Sequence, residues 1–187
     1  MSAALRWKPS KQTRRLLRLG HIAAAGTWLG FDLILFILTV TALRAEATHS
    51  AAAAVSISAF TTWPLIVTGL VTLATGILLG TGSKYGLTRY WWVLIKLLLT
   101  IVLIGLVPVL LLSGVEALES SGLRALDTGG APVVDRTALF PPIVSSASVS
   151  FAMVLSVFRP WGRVARRATL DHMPAPGTSD DRRARSQ

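Results

Sequence analysis

Cysteine is absent from this 187-residue chain. That excludes disulfide frameworks, thiolate metal sites, thioether-linked haem and thiol nucleophiles. Acidic residues are scarce, 9 against 19 Lys and Arg, which leaves a formal charge of +10. Histidine is scarcer, with only His21, His49 and His172. The sequence contains no zinc-ligand spacing, glycine-rich phosphate loop or nucleophile–base set, so it offers no catalytic constellation.

Apolar residues are what the chain has in quantity: 52% of the sequence is hydrophobic, and mean hydropathy is +0.58. Four apolar runs are long enough to cross ~30 Å of hydrocarbon. The expected fold is all-α, a four-helix transmembrane bundle in the lipid bilayer. Its spans lie at about 16–43, 51–80, 90–113 and 138–161, between a basic leader at 1–15 and a basic, disordered tail at 162–187. The connections are too short to hold a second domain. The first apolar run is too long for a signal-peptide core, so it is expected to remain as a span.

The positive charge is placed for topology, and no nucleic-acid partner is expected. Arg6, Lys8, Lys11, Arg14, Arg15 and Arg18 precede the first span, and Arg159, Arg163, Arg166 and Arg167 follow the last. Lys84 and Arg89 occupy the second connection without an acid, whereas Glu116, Glu119, Asp127 and Asp135 concentrate in the third. By the excess of Lys and Arg on the cytoplasmic side, both termini are expected in the cytoplasm.

Local signals refine the spans. Pro64 should bend the second and Pro108 the third, because proline removes an amide donor from the helix ladder. Pro141 and Pro142 fit the first turn of the fourth. Gly69, Gly76 and Gly80, with Thr72, recur at helical spacing and allow close helix packing; Gly26 and Gly30 on span one offer a second close-contact face. Ser145, Ser148 and Ser156 share one face of span four and can bond carbonyls or reach another helix. Residues 114–137, with Gly129, Gly130 and Pro132, read as a flexible outer cap.

Titratable groups inside a span are costly and therefore candidates for function. His21, Asp32 and Lys96 qualify. At 100° per residue His21, Ala25, Trp28 and Asp32 form one stripe facing the bundle, with Asp32 ~16 Å further along the axis than His21. Asp32 is expected to bond a serine of span four. His21 and Lys96 each lie near the start of a span entering from the same side, so equal depth is expected. A neutral imidazole there can ligate a metal or haem iron, with Trp28 in an apolar wall; His49 lies at the opposite end and cannot complete a bis-histidine site.

The stretch LGHIAAAGTWLG at 19–30, residues 68–80 and WVLIKLLL at 92–99 resemble the CopD/HemJ-like superfamily of small helical membrane proteins, which includes four-span bacterial relatives. The pattern of an early histidine, a tryptophan and glycine about two turns later, and a lysine opening a later span maps to His21, Trp28, Gly30 and Lys96. The resemblance covers roughly 16–110 and implies a multi-pass protein of the bacterial inner (plasma) membrane. On the HemJ side it implies haem b on the histidine, a lysine serving porphyrin chemistry, and electrons passing to the membrane pool; Lys96, Arg18 and Arg89 would meet the propionates. The further histidine two residues before the lysine is replaced by Leu94, which speaks against porphyrinogen oxidation. The CopD side implies copper, but Met153 and Met173 stand alone. A cofactor-free subunit, seated on a second copy or a membrane partner, is the alternative reading. A small transporter or proton pathway through Asp32 is the third.

Overall fold

The computed structural model describes residues 9–82 and 90–158. The described residues form helices, and no strand is found among them. Helix α1 spans Lys11–Arg44. It starts earlier than the apolar run because the Ser10 hydroxyl accepts the Thr13 amide at 3.1 Å, an N-cap that carries the helix through the basic stretch. Helix α2 (Ala47–Thr61) and helix α3 (Trp63–Thr81) follow. Pro64 does more than bend the second apolar segment: Thr62 leaves helical geometry at ψ −85°, and Trp63 and Pro64 begin a new helix. The Thr68 hydroxyl then donates to the Pro64 carbonyl at 2.7 Å.

Helix α4 (Trp91–Leu106) passes through a five-residue π-helical turn, Val107–Leu111, at Pro108. The proline cannot donate to the carbonyl one turn back, and the widened turn absorbs the missing bond. The chain does not then enter a flexible cap. It continues as helix α5, Leu112–Thr128, and only 129–135 is irregular. Gly129, at φ +72°, stops α5 in the left-handed conformation common after helix ends. Asp135 caps a short 3-10 turn, and helix α6 (Phe140–Phe158) begins with both prolines in its first turn.

Four segments are long and apolar enough to cross a membrane: α1, α2 with α3, α4 into its π-turn, and α6 with the 3-10 turn before it. They pack as a ring in which α1 touches α3, α3 touches α4, α4 touches α6, and α6 touches α1. Exposed aromatics open three of these helices, as suits residues at a membrane interface. Trp63 opens α3 and Phe140 opens α6 at one end, 72% and 67% exposed, and Trp91 opens α4 at the other. Helices α3 and α6 each have 19 residues, about 28 Å at 1.5 Å per residue, which matches the hydrocarbon thickness.

Beyond Trp63 and Phe140 stands a lobe made of the end of α1, α2 and α5. Helix α5 turns Val115, Leu118, Gly122 and Ala125 inward and leaves Glu116, Ser120, Arg124 and Asp127 exposed. Its close partner is the alanine run of α2, where Ala51, Ala53 and Ala54 are buried. A Cβ on Gly122 would lie 2.9 Å from Val55 and 3.1 Å from the Ala54 methyl. Leu35, Ala54, Ile57 and Leu118 join the lobe to the core beside Trp28, Leu65, Leu103 and Val149.

The expected spans thus shift at their edges. The first begins at Lys11, the second at Ala47 with a break at Thr62, the third runs on into α5, and the fourth is described from Phe140 to Phe158. The leader before residue 9 and the tail at 162–187 lie outside the described residues.

Candidate functional site

Two polar clusters occupy the ring at different heights. The first, toward the basic end where α1 starts, contains His21 and Lys96. His21 Nδ1 lies 3.1 Å from the Thr72 carbonyl and 3.0 Å from the Thr75 hydroxyl, both on α3. The carbonyl can only accept, and the Thr75 hydroxyl donates its own proton to the Val71 carbonyl at 2.6 Å. Nδ1 therefore carries the hydrogen, and Nε2 is the lone-pair atom of the neutral ring. The imidazole rests on Gly76, where a Cβ would stand 3.3 Å from His21 Cε1.

Lys96, half-buried, donates to the Ser156 hydroxyl on α6 at 2.8 Å and sits 4.5 Å from the centre of the Trp92 ring. A cation over an indole face gains about 0.5–2 kcal/mol. The heights of the two residues agree. Asp32 and Ser145 face each other across α1 and α6; His21 is eleven residues from Asp32, and Ser156 eleven from Ser145, in each case toward the basic end. Both intervals are ~16 Å at the helical rise. His21 belongs to the α1–α3 seam and Lys96 to the α4–α6 seam. Arg18 is exposed one turn before His21, and Arg89 lies outside the described residues.

The second cluster is nearer the lobe. Trp28, 3% exposed, and Asp32, 1% exposed, follow the buried stripe of α1. The Trp28 indole donates to the Ser145 hydroxyl at 3.2 Å, and that hydroxyl donates to Asp32 Oδ2 at 2.7 Å. The expected bond between Asp32 and a span-four serine is present. Trp28, however, leaves the His21 level: its ring lies against Gly69, where a Cβ would be 3.3 Å from the indole and 2.8 Å from Ile104. Gly26 and Gly30 have no neighbouring atom within 4 Å of their Cβ positions and are exposed, so they face away from the bundle. Gly80, at the last turn of α3, is half-buried.

Above Asp32 opens a cavity of about 620 Å³. Its floor is Trp28, Asp32 and Ser145, its walls include Leu35, Ile57, Leu65 and Leu103, and its rim includes Ser121, Arg124 and Asp135. The Thr137 amide donates to Asp135 Oδ1 at 2.9 Å and holds its carboxyl below the usual carboxylate range. Sequence reasoning pairs Asp32 with a serine of span four, without singling out Ser145, and misses the rim, because the rim belongs to α5 and the segment after it. The signal was present: Val115, Leu118, Gly122 and Ala125 keep helical spacing through a polar segment.

The neutral ring presents one nitrogen lone pair, at Nε2. An Nδ1–H held by a carbonyl fixes ring orientation and leaves the Nε2 lone pair unused by that bond, and the absent side chain of Gly76 leaves the space in which the imidazole itself sits. Among the described residues there is no group of three or more His, Cys, Asp or Glu for a purely protein-held metal ion. No family model, curated protein or solved structure matches the chain.

Proposed function

We propose that this chain is a multi-pass protein of a bacterial plasma membrane, with both ends cytoplasmic, that holds haem b through His21 Nε2. The observation that carries the reading is the pinned imidazole: Thr72 and Thr75 fix Nδ1 as the donor, so the remaining nitrogen is the ligand atom. Lys96 stands at the same height, half-buried, with its ammonium on the exposed Ser156 hydroxyl. With Arg18, and with Arg89 of the second connection by its place in the sequence, it would supply positive charge for propionates. The group would contribute one-electron transfer, and the chain contributes orientation, an apolar surround and charge balance. No porphyrin oxidation is assigned, because Leu94 replaces the second histidine of the pattern.

The test is the absorption spectrum of the protein in mild detergent, before and after addition of haem. Wild type is expected to show a Soret band at one haem per chain, His21→Ala none, and Lys96→Ala a weaker affinity. A colourless wild-type protein unchanged by added haem would remove the reading. It would favour a cofactor-free subunit that seats a second copy or a membrane partner, for which the outward-facing Gly26 and Gly30 offer a smooth surface.

A further inference from the structure

The cavity above Asp32 lies away from the His21 level and has no part in haem binding. Its chemistry is asymmetric. The walls are apolar, and the floor carries one carboxyl that is 1% exposed. Ser145 reaches only Oδ2, and among the described residues no other group bonds Asp32 and no cation pairs with it. The Trp28–Ser145 chain delivers its single proton toward Oδ2, which leaves Oδ1 able to accept from a group in the cavity. An acid at this depth costs several kcal/mol unless it is paired or hydrated. A volume of about 620 Å³ is within the range of small-molecule pockets, in which apolar walls take the body of a ligand and a few polar groups orient it.

We propose that this cavity binds a hydrophobic amine, its ammonium donating to Asp32 Oδ1 and its apolar body lying among Leu35, Ile57, Leu65 and Leu103. On the lobe side the pocket is lined by α5, through Leu118, Ser121 and Arg124. Arg124 and Asp135 both line the pocket, one charge of each sign, so discrimination falls to Asp32 at the floor. A neutral amphiphile or a lipid chain would fill the walls but leave Oδ1 without a cation.

Isothermal titration of the full chain in detergent with 1-naphthylmethylamine, and with 1-naphthylmethanol as its neutral counterpart, tests this. Wild type is expected to bind the amine at least tenfold more tightly than the alcohol. Asp32→Asn should lose that tenfold preference, and Leu103→Trp, which fills the cavity but keeps the acid, should weaken both ligands. Leu103→Trp keeps the test valid if Asp32→Asn fails to fold, as judged by a monodisperse gel-filtration peak. The proposal is overturned if wild type binds no amine, if alcohol and amine bind equally, or if either folded variant binds the amine as wild type does.

Discussion

At the scale of single residues, Ser145 holds more together than its size suggests. Its hydroxyl accepts from Trp28 and donates to Asp32, so removing it strands a buried donor and a buried acceptor at once. Leaving a buried polar group without a partner costs about 1–3 kcal/mol, and Ser145→Ala is expected to destabilise the protein by that order. Ser150, exposed on the same helix, should tolerate alanine within about 0.5 kcal/mol. Reversible unfolding in mixed micelles compares the two; equal stability of both variants would mean that the relay does not hold α6 to α1. Much of this relay was legible in the sequence. The 100° stripe put Trp28 and Asp32 on one face, and serines on span four were its natural partners. The attachment of His21 to α3 was not legible, because a backbone carbonyl such as that of Thr72 leaves no mark in residue type.

At the scale of elements, the strongest departure from the sequence reading is α5. Segment 114–137 holds four of the nine acids, and Gly129, Gly130 and Pro132 cluster toward its end, so hydropathy classes it with loops. A helix that packs on a protein lobe needs only one apolar stripe, not a lipid-compatible circumference. Val115, Leu118, Gly122 and Ala125 provide that stripe. The contact is tight at Gly122, where a Cβ would stand 3.0 Å from the Ala51 carbonyl. Gly122→Val should push α5 off α2, at an overpacking cost of about 1–3 kcal/mol. Hydrogen exchange followed by mass spectrometry is expected to show faster exchange across 112–128, by about tenfold for each 1.4 kcal/mol lost, while α3 and α6 keep their protection. Unchanged exchange in α5 would show that it is not seated on α2.

At the scale of the whole molecule, a ring of four long apolar segments carries a lobe at one end. Hydropathy made the four spans legible, since runs of that length and composition have few alternatives in a bilayer. It could not reveal that α1, α2 and α5 continue past the aromatic level at Trp63 and Phe140, because alanine-rich and amphipathic turns look alike on an averaged scale. Charge predicts the orientation: Lys11, Arg14, Arg15 and Arg18 open α1 at the end opposite the lobe, and by the excess of Lys and Arg on the cytoplasmic side that end is expected inside and the lobe outside. The absence of cysteine makes this directly measurable, because each introduced thiol is the only one in the chain. A membrane-impermeant maleimide applied to intact cells is expected to label His49→Cys on α2 and Ser120→Cys on α5. Gln12→Cys and Thr81→Cys, at the basic end, should react only after the membrane is permeabilised. The reverse pattern would invert the protein in the membrane, and disagreement within either pair would break the four-span topology itself, since both members of each pair lie at one end of the same ring.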